Sequence, residues 1–127
     1  MNPRLLLLAA ALALSACQES ASSPGAAAAP QQDLQPKSVL GTEARALVGA
    51  GAVLVDVRTA DEFNELHLDG ARNIPLNELG RSLSSLPKDK PIVVYCAVGS
   101  RSAAAAGLLA KSGYDVRNLG AMENWKR

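Results

Sequence analysis

Cysteine, histidine and net charge are all scarce in this chain. Two cysteines and one histidine stand among 127 residues, and 13 basic side chains against 12 acidic ones leave a formal charge of +1. The cysteines, Cys17 and Cys96, lie far apart and form no Cys-x-x-Cys pair. That excludes a dithiol redox motif and a thiolate metal cluster. A near-neutral body excludes the broad basic face that nucleic acid or an anionic membrane surface requires, so any affinity for anions must be local. No internal repeat is present.

What the chain does have begins with its first residues. Met1-Asn2-Pro3-Arg4 carries one positive charge, and residues 5–14 are leucine and alanine only. An apolar run of about ten residues reads as a secretory signal, too short to span a bilayer. Leu14-Ser15-Ala16-Cys17 resembles the bacterial lipobox, in which the cysteine is acylated and becomes the mature N-terminus. The expectation is a signal peptide over residues 1–16 and a lipidated Cys17; the alternative is an ordinary signal peptide with an incidental cysteine. The rest of the segment 17–37 is rich in Ala, Ser, Pro and Gln and lacks apolar periodicity, the composition of a flexible tether. The expected location is the bacterial cell envelope, lipid-anchored and facing the periplasm. Gln18 in place of an aspartate favours the outer membrane. Residues 38–127 suffice for one small domain.

Within that domain, residues 52–57 and 91–95 are continuous apolar runs, the pattern of strands buried on both faces of a parallel sheet. Helices are predicted over residues 42–49 with Thr42 as cap, over 59–66 with Thr59 and Glu62 at capping-box spacing, more weakly over 77–85, and over 102–112 with Gly113 just past the end. Short strands are predicted near residues 71–73 and 115–117, and a helical turn over 122–126. Alternating strands and helices argue an α/β fold: an open, mostly parallel sheet with helices on both faces. Ligands in such folds bind beyond the C-terminal strand ends, where Arg58 and Cys96 both fall.

Val93-Val94-Tyr95-Cys96 is a strand ending in a cysteine; Ala97-Val98-Gly99-Ser100-Arg101 is a short loop, and an Ala-rich helix follows. The layout aims backbone N–H groups and a helix N-terminus at the sulfur, which favours thiolate over thiol. With Cys17 acylated, Cys96 is the one remaining thiol, and its position makes it a nucleophile. Gly99 permits a turn that residues with a Cβ resist. Ser100 either bonds the sulfur or caps the helix. Arg101 either faces substrate or holds the loop, or it is a helix-N1 arginine paired with a carboxylate such as Asp56 or Glu62. Arg58 either pairs with Asp61 or Glu62 or touches substrate, and Asp56 is expected to hold amides of a neighbouring loop. His67 is read as a loop residue, since a preformed thiolate needs no base, and Trp125 as packing.

Four stretches carry a resemblance: Val53-Leu54-Val55-Asp56-Val57-Arg58; His67-Leu68-Asp69-Gly70-Ala71-Arg72-Asn73-Ile74-Pro75; Val93 to Ser102; and Gly113-Tyr114-Asp115-Val116 leading to Gly120-Ala121-Met122 and Trp125. In this order they resemble the single-domain rhodaneses, thiosulfate or persulfide sulfurtransferases. The resemblance implies a rhodanese-like sheet and transfer of a sulfane sulfur from thiosulfate or a persulfide to cyanide or a thiol, through a persulfide on Cys96. It implies no metal and no organic cofactor. The substrate-binding set would be the amides of Ala97, Val98, Gly99, Ser100 and Arg101, with Arg58 beside them.

Two features of the loop refine this. Cys96 to Arg101 is a Cys-x4-Arg ring, whereas Cys-dependent phosphatases use Cys-x5-Arg to cradle a tetrahedral phosphate. Ala97 and Val98 are small and apolar where some relatives carry charged or large residues, which leaves the choice between thiosulfate and a persulfide donor open. A persulfide carrier without efficient thiosulfate turnover is the main alternative, and a phosphatase a lesser one.

Overall fold

The computed structural model describes residues 35–127; the signal sequence, Cys17 and the tether up to residue 34 lie outside the described residues. The elements run β1 (Lys37–Ser38), α1 (Gly41–Gly49), β2 (Val53–Asp56), α2 (Ala60–Glu65), β3 (Arg72–Asn73), α3 (Leu76–Ser82), a 3-10 turn (Leu83–Ser85), β4 (Ile92–Cys96), α4 (Ser100–Lys111), β5 (Val116–Ala121) and a closing 3-10 turn (Met122–Lys126). The five strands form one sheet in the order β1-β5-β4-β2-β3, with every pairing parallel.

Both faces of the sheet are covered, which explains why β2 and β4 read as unbroken apolar runs. Side chains alternate between faces along a strand. Ile92, Val94 and Cys96 therefore join Val55, Val57, Ala105, Ala106 and Leu109 in a core under α4 and α3. Val93 and Tyr95 join Leu54, Val39, Ala44 and Leu119 on the opposite face, where Trp125 packs at the margin. Cys96 thus ends the central strand on the α4 side and is itself part of the core. Among the described residues, no helix is long and apolar enough to cross a membrane.

Four local expectations need correction. Thr42 does not cap α1; the helix starts one residue earlier, with Leu40 at the N-cap and no side-chain cap. Gly41 occupies the first position because a Cβ there would fall 2.0 Å from the Asn124 carbonyl oxygen of the closing turn. The last strand is longer than residues 115–117, because an irregularity between Val94 and Tyr95 lets β5 continue to Ala121. Its polar Asn118 and its Gly120, at φ +80°, hide that continuation from an apolar-pattern reading. Helix α4 starts at Ser100, taking two loop residues into its first turn. Finally, Lys37, read as the end of the tether, pairs with Arg117 in β1.

Candidate active site

The cysteine loop leaves β4 at Cys96 and enters α4 at Ser100, with Gly99 at the N-cap in a left-handed conformation, φ +105°. That turn brings the Gly99 N–H to 3.0 Å from the Cys96 Sγ, and the Ser102 N–H reaches the same sulfur at 3.3 Å. The first N–H groups of a helix have no partner within it; here the sulfur takes one of them. The Ser102 hydroxyl donates to the Gly99 carbonyl at 2.9 Å and ties the loop closed.

Burial pushes the Cys96 thiol up. Hydrogen bonds from the backbone amides, first that of Ser102 and then those of Gly99 and Val98, offset this, and its pKa lies below the ordinary thiol value. The α4 macrodipole, positive at this end, acts in the same direction. The shift favours the thiolate form of a sulfur that sits at the N-terminus of a helix, in a fully buried position.

The two arginines are both occupied. Arg58 was expected to pair with Asp61 or Glu62, but it pairs with Asp56: Nη2 to Oδ2 at 2.6 Å and Nε to both carboxylate oxygens at 3.0 Å. Residues two apart on extended backbone face the same way, so the strand end itself makes this pair. Asp56 also accepts the Arg58 N–H at 2.9 Å, and Arg58 Nη2 donates to the Leu66 carbonyl. The Asp56 hydrogen bond, against the opposing cost of burial, raises the Arg58 pKa and keeps the guanidinium charged. On the other side of Arg58 lies the Tyr95 ring, 5.8 Å from the guanidinium carbon. Burial, with Asp56 nearby, pushes the Tyr95 phenol up.

Arg101 takes the carboxylate-paired role. Its guanidinium makes a two-point bond with Glu62, at 2.8 and 2.9 Å. Glu62 is at the same time the third residue of the α2 capping box, accepting from the Thr59 amide and hydroxyl, each at 2.9 Å. Arg101, and then the Thr59 amide, hold the Glu62 carboxyl well below the usual carboxylate range. Arg101 is thus a loop-holding residue, and no substrate-facing guanidinium is presented by it in this structure. Ser100 is exposed as the first residue of α4 and is neither its cap nor a donor to Sγ.

Ala97 and Val98 form the outward side of the loop, Val98 at 79% exposure. With Arg58, Ala121, Met122 and Glu123 they line a hollow of about 380 Å³. His67 stacks on Phe63 at 3.8 Å and bonds its carbonyl through Nδ1, a structural role. Ser102 is the site residue that sequence reading missed. Its signal was its place at the third position of a helix that starts two residues earlier than the apolar pattern indicates. No group of three or more His, Cys, Asp or Glu among the described residues could hold a metal ion.

A family model described as the rhodanese-like domain matches residues 40–127. An uncharacterized protein of Bacillus subtilis (strain 168), YqhL, is 42% identical over 76 residues, covering 58% of this chain and 60% of that protein; the chain thus spans less than two thirds of that relative. The thiosulfate sulfurtransferase GlpE of Pseudomonas savastanoi pv. phaseolicola is 36% identical over 86 residues, covering 66% of this chain and 81% of that protein. A crystal structure of a rhodanese-related protein from Thermoplasma volcanium superposes with a TM-score of 0.64 at 30% identity, covering 71% of this chain and 90% of the other. With the sheet order, the cysteine at the central strand end and the match to the domain model in agreement, the chain belongs to the rhodanese-like family.

Proposed function

We propose that this chain is a sulfurtransferase that carries a sulfane sulfur as a persulfide on Cys96. The observation that supports it best is the lowered-pKa sulfur at the head of α4, facing two N–H groups at 3.0 and 3.3 Å. A thiolate is the species that attacks sulfur. With thiosulfate as donor, the Cys96 thiolate attacks the outer sulfur, the S–S bond of thiosulfate breaks, and sulfite leaves with the electron pair. The product is Cys96–S–S⁻, whose negative charge the loop amides and the helix end stabilise. An acceptor such as cyanide or a thiolate then attacks that outer sulfur and expels the Cys96 thiolate. Two half-reactions through one covalent intermediate give ping-pong kinetics.

Cys96 is fully buried, so donor and acceptor reach Sγ only when the loop shifts. The Cys-x4-Arg ring supports sulfur over phosphoryl chemistry, because its N–H groups converge on a single sulfur. Intact mass after incubation with thiosulfate should rise by one sulfur, and cyanide should remove it over repeated turnovers. Cys96→Ser should abolish both while leaving the fold intact. Activity retained in the serine variant would remove Cys96 from the mechanism; loading without repeated turnover would favour the carrier reading.

The lipobox-like Leu14-Ser15-Ala16-Cys17 supports a second proposal, that the domain is lipid-anchored in the cell envelope facing the periplasm. Cys17→Ala should release the protein from the membrane fraction or block its processing; wild-type protein recovered soluble and unlipidated would overturn this.

A further inference from the structure

The near-neutral total, which argues against a broad basic face, is the sum of two unlike ends. In a parallel sheet the helices run back against the strands, so strand starts and helix ends share one pole and Cys96 lies at the other. At the first pole stand Lys37 in β1, Arg81 in the last turn of α3, Lys88 and Lys90 in the loop before β4, and Lys111 at the end of α4, all exposed. None of these five cations is in an ion pair among the described residues. Asp89 is the one carboxylate set against them, since Asp115 is paired with Arg117. Elsewhere in the described domain six basic side chains stand against eight acidic ones.

Four of the five belong to one surface. Lys88 Nζ donates to the Ser112 carbonyl at 3.1 Å and lies 5.1 Å from the Tyr114 ring centre, which sets the 88–90 loop against the end of α4 beside Lys111. Gln35 and Pro36 line a hollow with Gly107, Ala110 and Lys111, so the polypeptide that comes from Cys17 joins the domain here, just before Lys37. Basic side chains at a helix end offset the macrodipole or cap its carbonyls, and that accounts for Arg81, Lys88 and Lys111. Lys37 and Lys90 lie outside the helices and take no such part.

We propose that this basic pole rests on an anionic phospholipid surface, that of the membrane to which the chain is anchored. The proposal rests on the lipid-anchor reading above for proximity alone; the cations supply the orientation. Lysines and arginines close to such a surface are drawn to it, and the attraction fades within a Debye length, about 8 Å. Cys96 stands at the start of α4, whose 12 residues span about 18 Å, so the sulfur and the acidic side chains of its pole lie beyond that range. The domain is thereby held with its reacting sulfur turned away from the bilayer, towards molecules in solution.

The test uses the mature lipidated protein in vesicles of phosphatidylcholine, alone or mixed with phosphatidylglycerol. Acylation of each lysine by a water-soluble reagent is read by peptide mass spectrometry. Lys37, Lys88, Lys90 and Lys111 should react about fivefold more slowly on the mixed vesicles, and high salt should abolish the difference. Lys126, exposed at the Cys96 pole, should react equally on both. Lys90→Glu combined with Lys111→Glu should return Lys37 and Lys88 to their rates on phosphatidylcholine. Equal rates on the two kinds of vesicle, equal slowing of Lys126, or protection unchanged in the doubly substituted chain would overturn the proposal. Protection by added DNA but not by the mixed vesicles would assign the pole to nucleic acid and overturn it as well. If the mature protein carries no acyl chain, the anchor reading fails, and the surface is read instead by flotation of that protein with phosphatidylglycerol vesicles. Flotation that the double substitution abolishes would uphold the surface without the anchor; no flotation would overturn both.

Discussion

Two arginine–carboxylate pairs stand beside the cysteine loop, and they are set at different depths. In Arg58–Asp56 the side chains are 7% and 0% exposed; in Arg101–Glu62 they are 33% and 34% exposed. The first pair closes within three residues of one strand end and is cross-braced by Asn73, whose Nδ2 donates to the carbonyls of Asp56 at 3.1 Å and Arg58 at 3.0 Å. The second spans two helix N-termini, α2 and α4, distant in sequence. The buried pair is a fixed part of the sheet end, and breaking it leaves a charge without water. The outer pair can open to solvent at little cost, so it registers the loop against α2 and adds little to stability.

The largest effect should come from breaking the inner pair. Asp56→Ala leaves the Arg58 guanidinium buried and unpaired, and losses of about 3–5 kcal/mol are typical of such a break. Denaturant unfolding should show a midpoint far below wild type. Replacing both residues by apolar ones of similar volume should recover much of the loss. A single substitution as stable as wild type would show that the pair is not what holds the strand end.

A smaller effect, and of a different kind, should follow from Glu62→Gln. This variant keeps the amide acceptor for Thr59 but releases the charge from Arg101. The unfolding midpoint near neutral pH should stay close to wild type, while sulfur loading of Cys96 slows several-fold because the first turn of α4 is less firmly placed. The pH dependence sharpens the contrast. The Glu62 pKa is lowered in the fold from 4.5, chiefly by Arg101. The fold therefore binds that proton less readily than the unfolded chain. The pair's contribution is fully present above about pH 4.5 and is lost as pH falls below it, through the lowered folded value. Wild type should lose this stability on acidification and the Gln variant should not; parallel acid profiles would show that the contact is not formed in solution.

The two pairs also show what could be read from the sequence. The α2 capping box was legible because Thr59 and Glu62 are local and their spacing is fixed by helix geometry. The buried strands β2 and β4 were legible because both faces are covered and no polar residue interrupts them until Asp56. The Arg58 partner was misread through a preference for helix neighbours over the strand neighbour two residues back. Glu62 stood among the carboxylates considered for Arg101, but only the approach of α2 to α4 decides between it and Asp56. Strand β1 and the far end of β5 were not legible, since a two-residue edge strand has no periodicity and Asn118 and Gly120 interrupt the apolar signal.

The alternation of side chains along β4 gives Cys96 a second standing. Its sulfur belongs to the same packed layer as Ile92 and Val94, so the atom that reacts is also an atom that the folded state shields. Cys96 is the one free cysteine among the described residues. Its labelling rate by a small neutral reagent, divided by that of an unshielded thiol and corrected for thiolate fraction, is then a protection factor for the loop. The population of open loops, and with it the ceiling on how fast any donor can be served, can be counted on the reacting sulfur itself.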